Sequence, residues 1–576
     1  MTKKSKSSRR DTPKDIVLFT GQSGIKIERC LRKIKGERPD SEVEVIKLEE
    51  AMIERYKEKF PNSKDYDDRT IVDRVLALPP LAQGRLWEQS LSLVKKRLGS
   101  KASAKKLFLV SFHACFYHTR NREFLSPVGL TMLKTLANRT KLLIVLVDDC
   151  YDIYKRLLDE KEMFHKEVMH RDLNPHDAMV RSIWNLLTVL SWREIEIAFS
   201  RKLAEMLSVQ FFIVPVKHPV FMIERLVFVP LDRLQIFYLA HPITSVRRRT
   251  YARGMRFPYD LNAFAERMLQ EDDSVVIFIP DTIDELRIEC EQDGYYTPEL
   301  SQGWDPPFDE SEWLFVSLPQ EVMNLKPLNP KDFPYQSDEE AKRTLSYAIG
   351  ILAQKIEQQI TSRDYGLIEQ SKNGIIVFQP YWEGDVSGGA LREAEYNSTL
   401  RDDRELKQTN RKMYVLEKLE NLGKYRISQI FGQLEGSALR EALSDEGKER
   451  LHGLKKEWLE SKERVEQFFE GKWSAPEIRC EIQRVLPSAY EFDKAFLSYA
   501  EPSIHGSAAY ETGQVLDAAW KKLLGNVRSL DPFTDYCGNP FKEYFLDFSA
   551  EFGTQVDKLV EAICQTDRRG GEGRKR

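Results

Sequence analysis

Residues 16–27 read IVLFTGQSGIKI, a run of β-branched and aromatic residues followed by a glycine-containing turn and the start of an amphipathic stretch. A strand, a tight turn and a helix in this order place backbone N–H groups at a helix N-terminus, where they can hold a phosphate. The complete loop, GxxxxGK[ST], also has a hydroxyl after the Lys to hold Mg²⁺, but here the loop is one residue short and Ile27 follows Lys26. The stretch therefore predicts an α/β fold with an incomplete phosphate loop. Its candidate nucleotide-binding residues are Gly21, Ser23, Gly24 and Lys26.

Further apolar runs alternate with helical stretches up to residue 228. The runs KLFLVSF, KLLIVLV and VQFFIVPV are predicted strands, and residues 24–34, 127–138 and 192–207 are predicted helices. This alternation is typical of a doubly wound parallel sheet with helices on both faces. We expect a first domain over residues 15–228, preceded by a disordered basic tail over residues 1–14.

A second α/β unit is predicted over residues 229–400. Its strands are LQIFYLAHP, SVVIFIP and GIIVFQP, and its helices cover residues 259–269 and 337–362. A Pro- and acid-rich stretch, about residues 289–336, interrupts the pattern and predicts a long insertion. This unit is expected to be a second doubly wound parallel sheet.

The rest of the chain has little strand character. Val415, Leu416 and Leu419 begin a series of apolar residues at helical spacing among many charges. We expect an α-helical domain over residues 401–565 and a basic tail over residues 566–576. The helical domain is the predicted surface for a protein partner or for self-association.

Composition excludes several classes of protein. The 576 residues predict about three domains, and 41% apolar residues can fill cores of native size. The 87 Lys and Arg nearly balance the 90 Asp and Glu, so charge does not indicate nucleic-acid binding. The seven scattered cysteines contain no CxxC pair, and no long uncharged apolar span or secretory leader is seen. We expect a reduced, cytoplasmic protein that binds no membrane and no metal.

Two motifs about 150 residues apart carry the chemistry of the second unit. The first is Tyr238-Leu-Ala-His241-Pro at a strand end, followed by Arg247 and Arg248, which can grip a phosphate. The second is Ser387-Gly388-Gly389-Ala-Leu-Arg-Glu393, a glycine-rich turn that we expect to deliver Glu393 on the first turn of a helix. An anionic carboxylate facing a sugar can attack C1′ or stabilise an oxocarbenium-like transition state.

The two motifs together resemble nucleoside 2-deoxyribosyltransferases and their nucleotide N-glycosidase relatives. The resemblance makes Glu393 the nucleophile and Tyr238 its hydrogen-bonding partner, with His241, Arg247, Arg248 and the Ser387–Gly389 turn on the substrate side. Asp385 and Asp364 are the candidate acids that protonate the leaving base. Ala390 and Glu395 depart from the family's Thr and Gly, which suggests a separate branch. Glu393 as a surface carboxylate and Tyr238 as a core residue remain the plain alternatives.

The first domain is similar to archaeal-type adenylate kinases in LFLVSFHACFYHTRNREFLSP, LIVLVDDCYDIYKRLLDE and the stretch over residues 192–214. Ser111 stands where that family has a metal-binding Asp. Because phosphoryl transfer depends on groups arranged around Mg²⁺, we expect a degenerate unit that binds a nucleotide such as ATP or is purely structural.

The sequence thus favours an enzyme that cleaves or transfers at the N-glycosidic bond of a nucleoside, nucleotide or NAD-like substrate without a required cofactor. Some relatives of the family act as toxic effectors in bacterial antiphage systems, so antiviral defence is an expectation by analogy. The alternatives are a non-catalytic nucleotide-binding regulator and, third, a divergent nucleotide kinase. Hydrolysis and transfer both stay open.

Overall fold

A computed structural model describes residues 15–99, 106–118, 122–126, 133–134, 136–159, 163–164, 175–242, 273–283, 288–290, 296–298, 339–379, 388–403, 406 and 411–417. The chain divides into two compact units. Residues up to Leu234 group with residues 280–370, and residues 235–279 group with the chain from Ser371 onward. This division differs from the contiguous boundaries at residues 228 and 400 that the sequence suggests, because residues 280–370 return to the first unit.

The first unit is built on a parallel sheet of five strands. Its strands are β1 (Ile16–Gly21), β2 (Val43–Lys47), β3 (Leu107–Ser111), β6 (Thr140–Val147) and β7 (Gln210–Pro215). Their order across the sheet is β2-β3-β1-β6-β7, so the strand that leads into the glycine-containing turn is central. Every residue of β1 is buried, as expected for a strand covered on both faces. The predicted α/β class with parallel sheets is confirmed.

The helices of the first unit follow its strands. They are α1 (Ile27–Lys35), α2 (Leu48–Lys59), α3 (Asp68–Leu76), α4 (Pro80–Leu98), α5 (Cys150–Asp159), α6 (Pro175–Leu207), α7 (Val220–Phe228) and α8 (Glu339–Gln370). The apolar faces of α2 and α4 pack against the sheet in one core that includes Met52, Trp87 and Leu91.

Several predicted helix boundaries need correction. Helix α1 begins at Ile27 and not at residue 24, because Gly24 has φ +88° and the Ile25 N–H donates to the Gln22 carbonyl in a turn. Helix α6 begins well before residue 192, and α8 continues past residue 362 to Gln370. Of the helix predicted over residues 127–138, only a short piece at 133–134 and a turn from residue 136 are described.

The last residue of α8 holds the edge of the described first sheet. The Gln370 side-chain amide accepts from the Ile213 N–H and donates to the Ile213 carbonyl, both at 2.8 Å. Ile213 lies in β7, the outermost strand of the sheet. The amide therefore makes the two hydrogen bonds to Ile213 that the backbone of a further strand would make.

The second unit has a parallel sheet of four described strands. These are β8 (Gln235–Ala240), β9 (Val275–Phe278), β12 (Gly374–Gln379) and β13 (Lys412–Glu417), in the order β13-β12-β8-β9. Helix α9 (Gly388–Asp402) packs on β12 and β8. The helix predicted over residues 259–269 lies outside the described residues.

Strand β13 corrects one prediction. Val415 and Leu416, which fit a helical spacing in the sequence, lie in a strand that pairs in parallel with β12. A short apolar run buried on both faces has no periodicity that separates strand from helix, and the parallel pairing decides between them. The rest of the predicted helical domain, from residue 418, lies outside the described part of the chain.

Besides the parallel sheets, the described residues form two short antiparallel strand pairs. Strands β4 (Phe116–His118) and β5 (Glu123–Leu125) form one, and β10 (Ile288–Cys290) and β11 (Tyr296–Pro298) form the other at the start of the predicted insertion. Among the residues that the structure describes, none of the helices combines the length and apolar character needed to cross a bilayer.

Candidate active site

Tyr238 lies inside the second sheet. It occupies β8, which runs between β12 and β9, and its side chain has no exposed surface. Parallel pairing of Tyr238 with Ile375 and Phe278 fixes its position along the sheet. Because the backbone is held on both sides, the direction of the phenol is set by the strand and not by a mobile loop.

Glu393 lies on α9, but not in its first turn. The helix begins at Gly388, so Glu393 is its sixth residue and belongs to the second turn. The expectation of a first-turn carboxylate is wrong, because the two glycines already adopt helical conformation. The stabilising effect of the helix dipole on a negative charge falls off within the first turn, so position on the helix contributes less than predicted.

The two residues meet. The phenol of Tyr238 donates a hydrogen bond of 2.9 Å to Oε1 of Glu393, across 155 residues of sequence. Oε2 of Glu393 is shielded from solvent, although the residue as a whole is only partly buried. Tyr238 therefore helps to fix the orientation of the Glu393 carboxylate. Their catalytic role stays a prediction.

The other predicted site residues of this unit are only partly described. His241 follows directly after β8 and is 4% exposed, at the carboxyl end of the strand that carries Tyr238. Gly388 and Gly389 form the exposed first residues of α9, and a Cβ at Gly388 would meet no atom within 4 Å. No neighbouring backbone in the described part of the chain therefore comes close enough to require a glycine at position 388. Asp385, Ser387, Arg247 and Arg248 lie outside the described residues.

Asp364 has an ion-pair partner on its own helix. It lies in α8, which belongs to the first compact unit, while Glu393 belongs to the second. Its carboxylate pairs with the neighbouring Arg363 at 3.0 Å, and the residue is 7% exposed. Unlike the Tyr238–Glu393 contact, the pairing of Asp364 points to a structural ion pair within α8.

In the first unit, the glycine-containing turn is tied to its surroundings. Gly24 adopts a positive φ that suits glycine, and the Arg156 guanidinium donates to its carbonyl at 2.6 Å. Gln22 donates to the Val189 carbonyl at 2.8 Å. Gly21 approaches the neighbouring strand so closely that a Cβ would lie 2.9 Å from the Leu146 carbonyl oxygen. Ser23 and Lys26 are the partly exposed members of the turn.

A second buried carboxylate lies beside this turn. Glu196 of α6 accepts from the hydroxyl of Thr20 and from the backbone N–H groups of Ala114, at 3.1 Å, and Cys115, at 2.8 Å. Burial raises its pKa, and the hydrogen bond from Thr20 and the His113 charge oppose that rise. The backbone N–H groups that follow β3 therefore donate to the Glu196 carboxylate of the chain itself. Ser111, at the end of β3, is 8% exposed.

Charged residues at the ends of β6 and β7 form a network that the sequence did not single out. Lys217 is 1% exposed and lies 2.9 Å from the Asp152 carboxylate, and Arg156 pairs with Asp148. Burial opposes the charge on Lys217, but Asp152 and Asp148 outweigh burial and raise its pKa. The acidic pair that follows the strand KLLIVLV was the available sequence signal.

Neither a scan of protein-family models nor a search of curated proteins finds a match to this chain. Within the described part of the chain, no group of three or more His, Cys, Asp and Glu side chains is arranged to hold a metal ion. The described free cysteines are Cys30, Cys115 and Cys150, all buried.

Proposed function

We propose that the second unit cleaves the N-glycosidic bond of a nucleoside, nucleotide or NAD-like substrate, with Glu393 as the nucleophile. The observation that carries the proposal is the hydrogen bond from Tyr238 to Glu393. Two residues that the sequence motifs single out independently lie in contact, one on a central strand and one on the helix that packs against it. A chance surface carboxylate has no reason to meet a phenol buried in the sheet.

The position of the pair also supports the proposal. In open parallel α/β sheets, ligands bind outside the carboxyl ends of the strands. β8 is flanked by parallel strands on both sides, and His241 continues from its carboxyl end. A sugar bound there would have Glu393 on one side and the residues after β8 on the other.

The chemistry needs few groups. The Glu393 carboxylate attacks C1′, the bond from C1′ to the base nitrogen breaks with its electron pair going to the base, and a proton is transferred to that nitrogen. Water then attacks C1′ and regenerates the carboxylate, or an acceptor base does so in a transfer reaction. Tyr238 orients the carboxylate through Oε1. Asp385 remains the proposed proton donor, with Arg247 and Arg248 proposed to hold a substrate phosphate.

For the first unit we propose an adenylate kinase-like fold that has lost phosphoryl transfer, and for the second a deoxyribosyltransferase-like fold. The central position of β1 and the positive φ of Gly24 support a former phosphate loop. A structural role for this loop today is supported by the hydrogen bonds of Gln22 and Arg156 and by the Glu196 carboxylate beside it. A cytoplasmic antiphage effector role is proposed by analogy alone.

The test compares the full-length protein with Glu393→Gln and with Glu395→Gln as a matched control. Glu395 is an exposed carboxylate two residues further along the same helix. Each protein is incubated with nucleosides, nucleotides and NAD, with and without an acceptor base, and released base is measured by chromatography. We expect Glu393→Gln to lose roughly a thousandfold or more of the rate and Glu395→Gln to retain it.

Equal rates in both variants would remove Glu393 from the mechanism. Absence of base release from every substrate in the parent protein would favour the regulator, in which both units bind ligands without turnover.

A further inference from the structure

The first unit contains a cavity of about 330 Å³ that is separate from the glycine-containing turn. Helices α6 and α8 form its walls, and Val147 and Ile213 of β6 and β7 lie at its base. Ile197 and Ile283 add further apolar surface. A cavity of about this volume, apolar with a few fixed polar groups, is typical of a small-molecule site.

The lining is positively charged. Among its described lining residues, four carry a positive charge and two a negative charge. Both acids have cationic partners: Glu194 pairs with Lys355, and Glu205 pairs with Lys202 at 2.7 Å. The positively charged lining residues are Arg193, Arg201, Lys202 and Arg363. Arg201 and Arg363 pair in turn with Glu369 and Asp364, so the lining together with its partners carries one net positive charge, which favours an anion over a cation.

Two of the four cations are buried and held in place. Arg193 is 4% exposed, and its guanidinium donates to the Gln359 side-chain oxygen at 2.6 Å and to the Asp148 carbonyl at 3.2 Å. Arg363 is 6% exposed and donates to Asp364 and to the Ile283 carbonyl. A guanidinium whose direction is fixed before binding loses little entropy when it meets a phosphate.

We propose that this cavity binds a phosphorylated small molecule of about nucleoside monophosphate size. Its phosphate lies against Arg193 and Arg363, and its less polar part lies against Ile197, Ile213 and Ile283. The site belongs wholly to the first unit and does not depend on the glycosidase activity proposed for the second.

The position of Ser362 allows a clean test. Ser362 lines the cavity on α8 but is exposed, so a larger side chain there does not disturb the buried arginines. Ser362→Glu places a negative charge at the cavity, and Ser362→Gln adds the same bulk without charge. Binding of AMP and of inorganic phosphate to the full-length chain is measured separately by titration calorimetry.

We expect AMP to bind more tightly than inorganic phosphate. Ser362→Glu should weaken AMP binding roughly tenfold or more, while Ser362→Gln changes it by about twofold or less. Equal melting temperatures of the two variants exclude a folding effect.

Four results would overturn the proposal. AMP binding that survives Ser362→Glu unchanged would place the ligand outside this cavity. Equal weakening of AMP binding in Ser362→Glu and Ser362→Gln would show that charge is not the cause of the loss. Absence of binding at millimolar AMP would show that the cavity does not bind this ligand. Inorganic phosphate that binds as tightly as AMP would refute the apolar contacts.

Discussion

Two glutamates that helices bring to the carboxyl ends of central parallel strands behave differently in the two units. Glu196 is 1% exposed and accepts hydrogen bonds from Thr20, Ala114 and Cys115. Glu393 is partly exposed, and Tyr238 holds its Oε1. The Glu196 carboxylate is enclosed by donors from the protein and stabilises the fold, whereas Glu393 as a residue stays partly exposed although its Oε2 is shielded from solvent. The comparison separates a structural acid from a candidate reactive one.

The largest expected effect on stability comes from disturbing the sheet against which the helix of Glu393 packs. Gly374, at the start of β12, has φ +115°, and a Cβ there would overlap the carbonyl oxygen of Lys412. We expect Gly374→Ala to lower the free energy of unfolding by about 4 kcal/mol or more, since β12 must separate from β13 or distort.

The matched control is Gly388→Ala, which fills open space in a helix and should stabilise by about 0.5–1 kcal/mol. Urea unfolding of the full-length protein measures both. A Gly374→Ala variant as stable as the parent would show that β12 and β13 are not paired as described.

The second prediction compares the two glutamates directly. Glu196→Ala removes the acceptor of the buried Cys115 N–H and of the Thr20 hydroxyl, whereas the Ala114 N–H still donates to the Thr20 oxygen, so the change should cost about 3–5 kcal/mol of unfolding free energy. Glu393→Ala removes only the acceptor of the Tyr238 hydroxyl, so it should cost about 1–2 kcal/mol while removing base release.

Glu194→Ala, an exposed change on the same helix as Glu196, is the control and should stay within about 0.5 kcal/mol of the parent. If Glu393→Ala destabilised the protein as strongly as Glu196→Ala, Glu393 would be a structural residue too.

Acid should act on the first unit through His218. Burial lowers the pKa of His218 to about 3, well below its usual 6.5 in an unfolded chain. Between these values the unfolded chain takes up the proton first, so stability present above pH 6.5 is lost as pH falls toward 3, by up to about 1.4 kcal/mol per pH unit.

His218→Gln should flatten this dependence. Urea unfolding of parent and variant at several pH values between 4 and 7 measures the difference in slope. Parallel curves would mean that His218 is not buried in its neutral form.

The smallest effect sharpens the assignment of Tyr238. Tyr238→Phe removes the hydrogen bond to Glu393 but keeps the ring, so base release should fall roughly ten- to hundredfold with about 1 kcal/mol of lost stability. Tyr414→Phe, which changes a buried tyrosine of strand β13 in the same sheet, is the control and should leave the rate unchanged. A rate loss in Tyr414→Phe of the same size would point to packing and not to the hydrogen bond.

The sequence was sufficient for the parts of the fold that repeat a local pattern. Strands β1, β6 and β12 are continuous apolar runs, and their class follows from composition and flanking turns. Pairing is different, because it depends on residues far apart. The apolar residues of β13 also fit a helical spacing, and the strand is identified only by its parallel pairing with β12.

The candidate site shows the same limit. The resemblance to deoxyribosyltransferases implies that Tyr238 and Glu393 meet, but the sequence does not predict that Glu393 lies in the second turn of α9. Asp364, a candidate acid in the sequence, lies in α8, which groups with the first unit, and a grouping of distant segments cannot be derived from local sequence. Glu196 and Lys217 were not recognised, since a buried charge is identified by its partners and no single stretch of sequence contains them.

The Gln370 amide on β7 has a practical consequence for anyone who expresses part of this chain. An edge strand with free N–H and C=O groups is a template for strands of other molecules and a common origin of aggregation. A fragment that ends near residue 228 follows the apparent domain boundary but lacks the helix that supplies Gln370. Such a fragment should self-associate through Ile213, and extending it to residue 370 should restore its solubility.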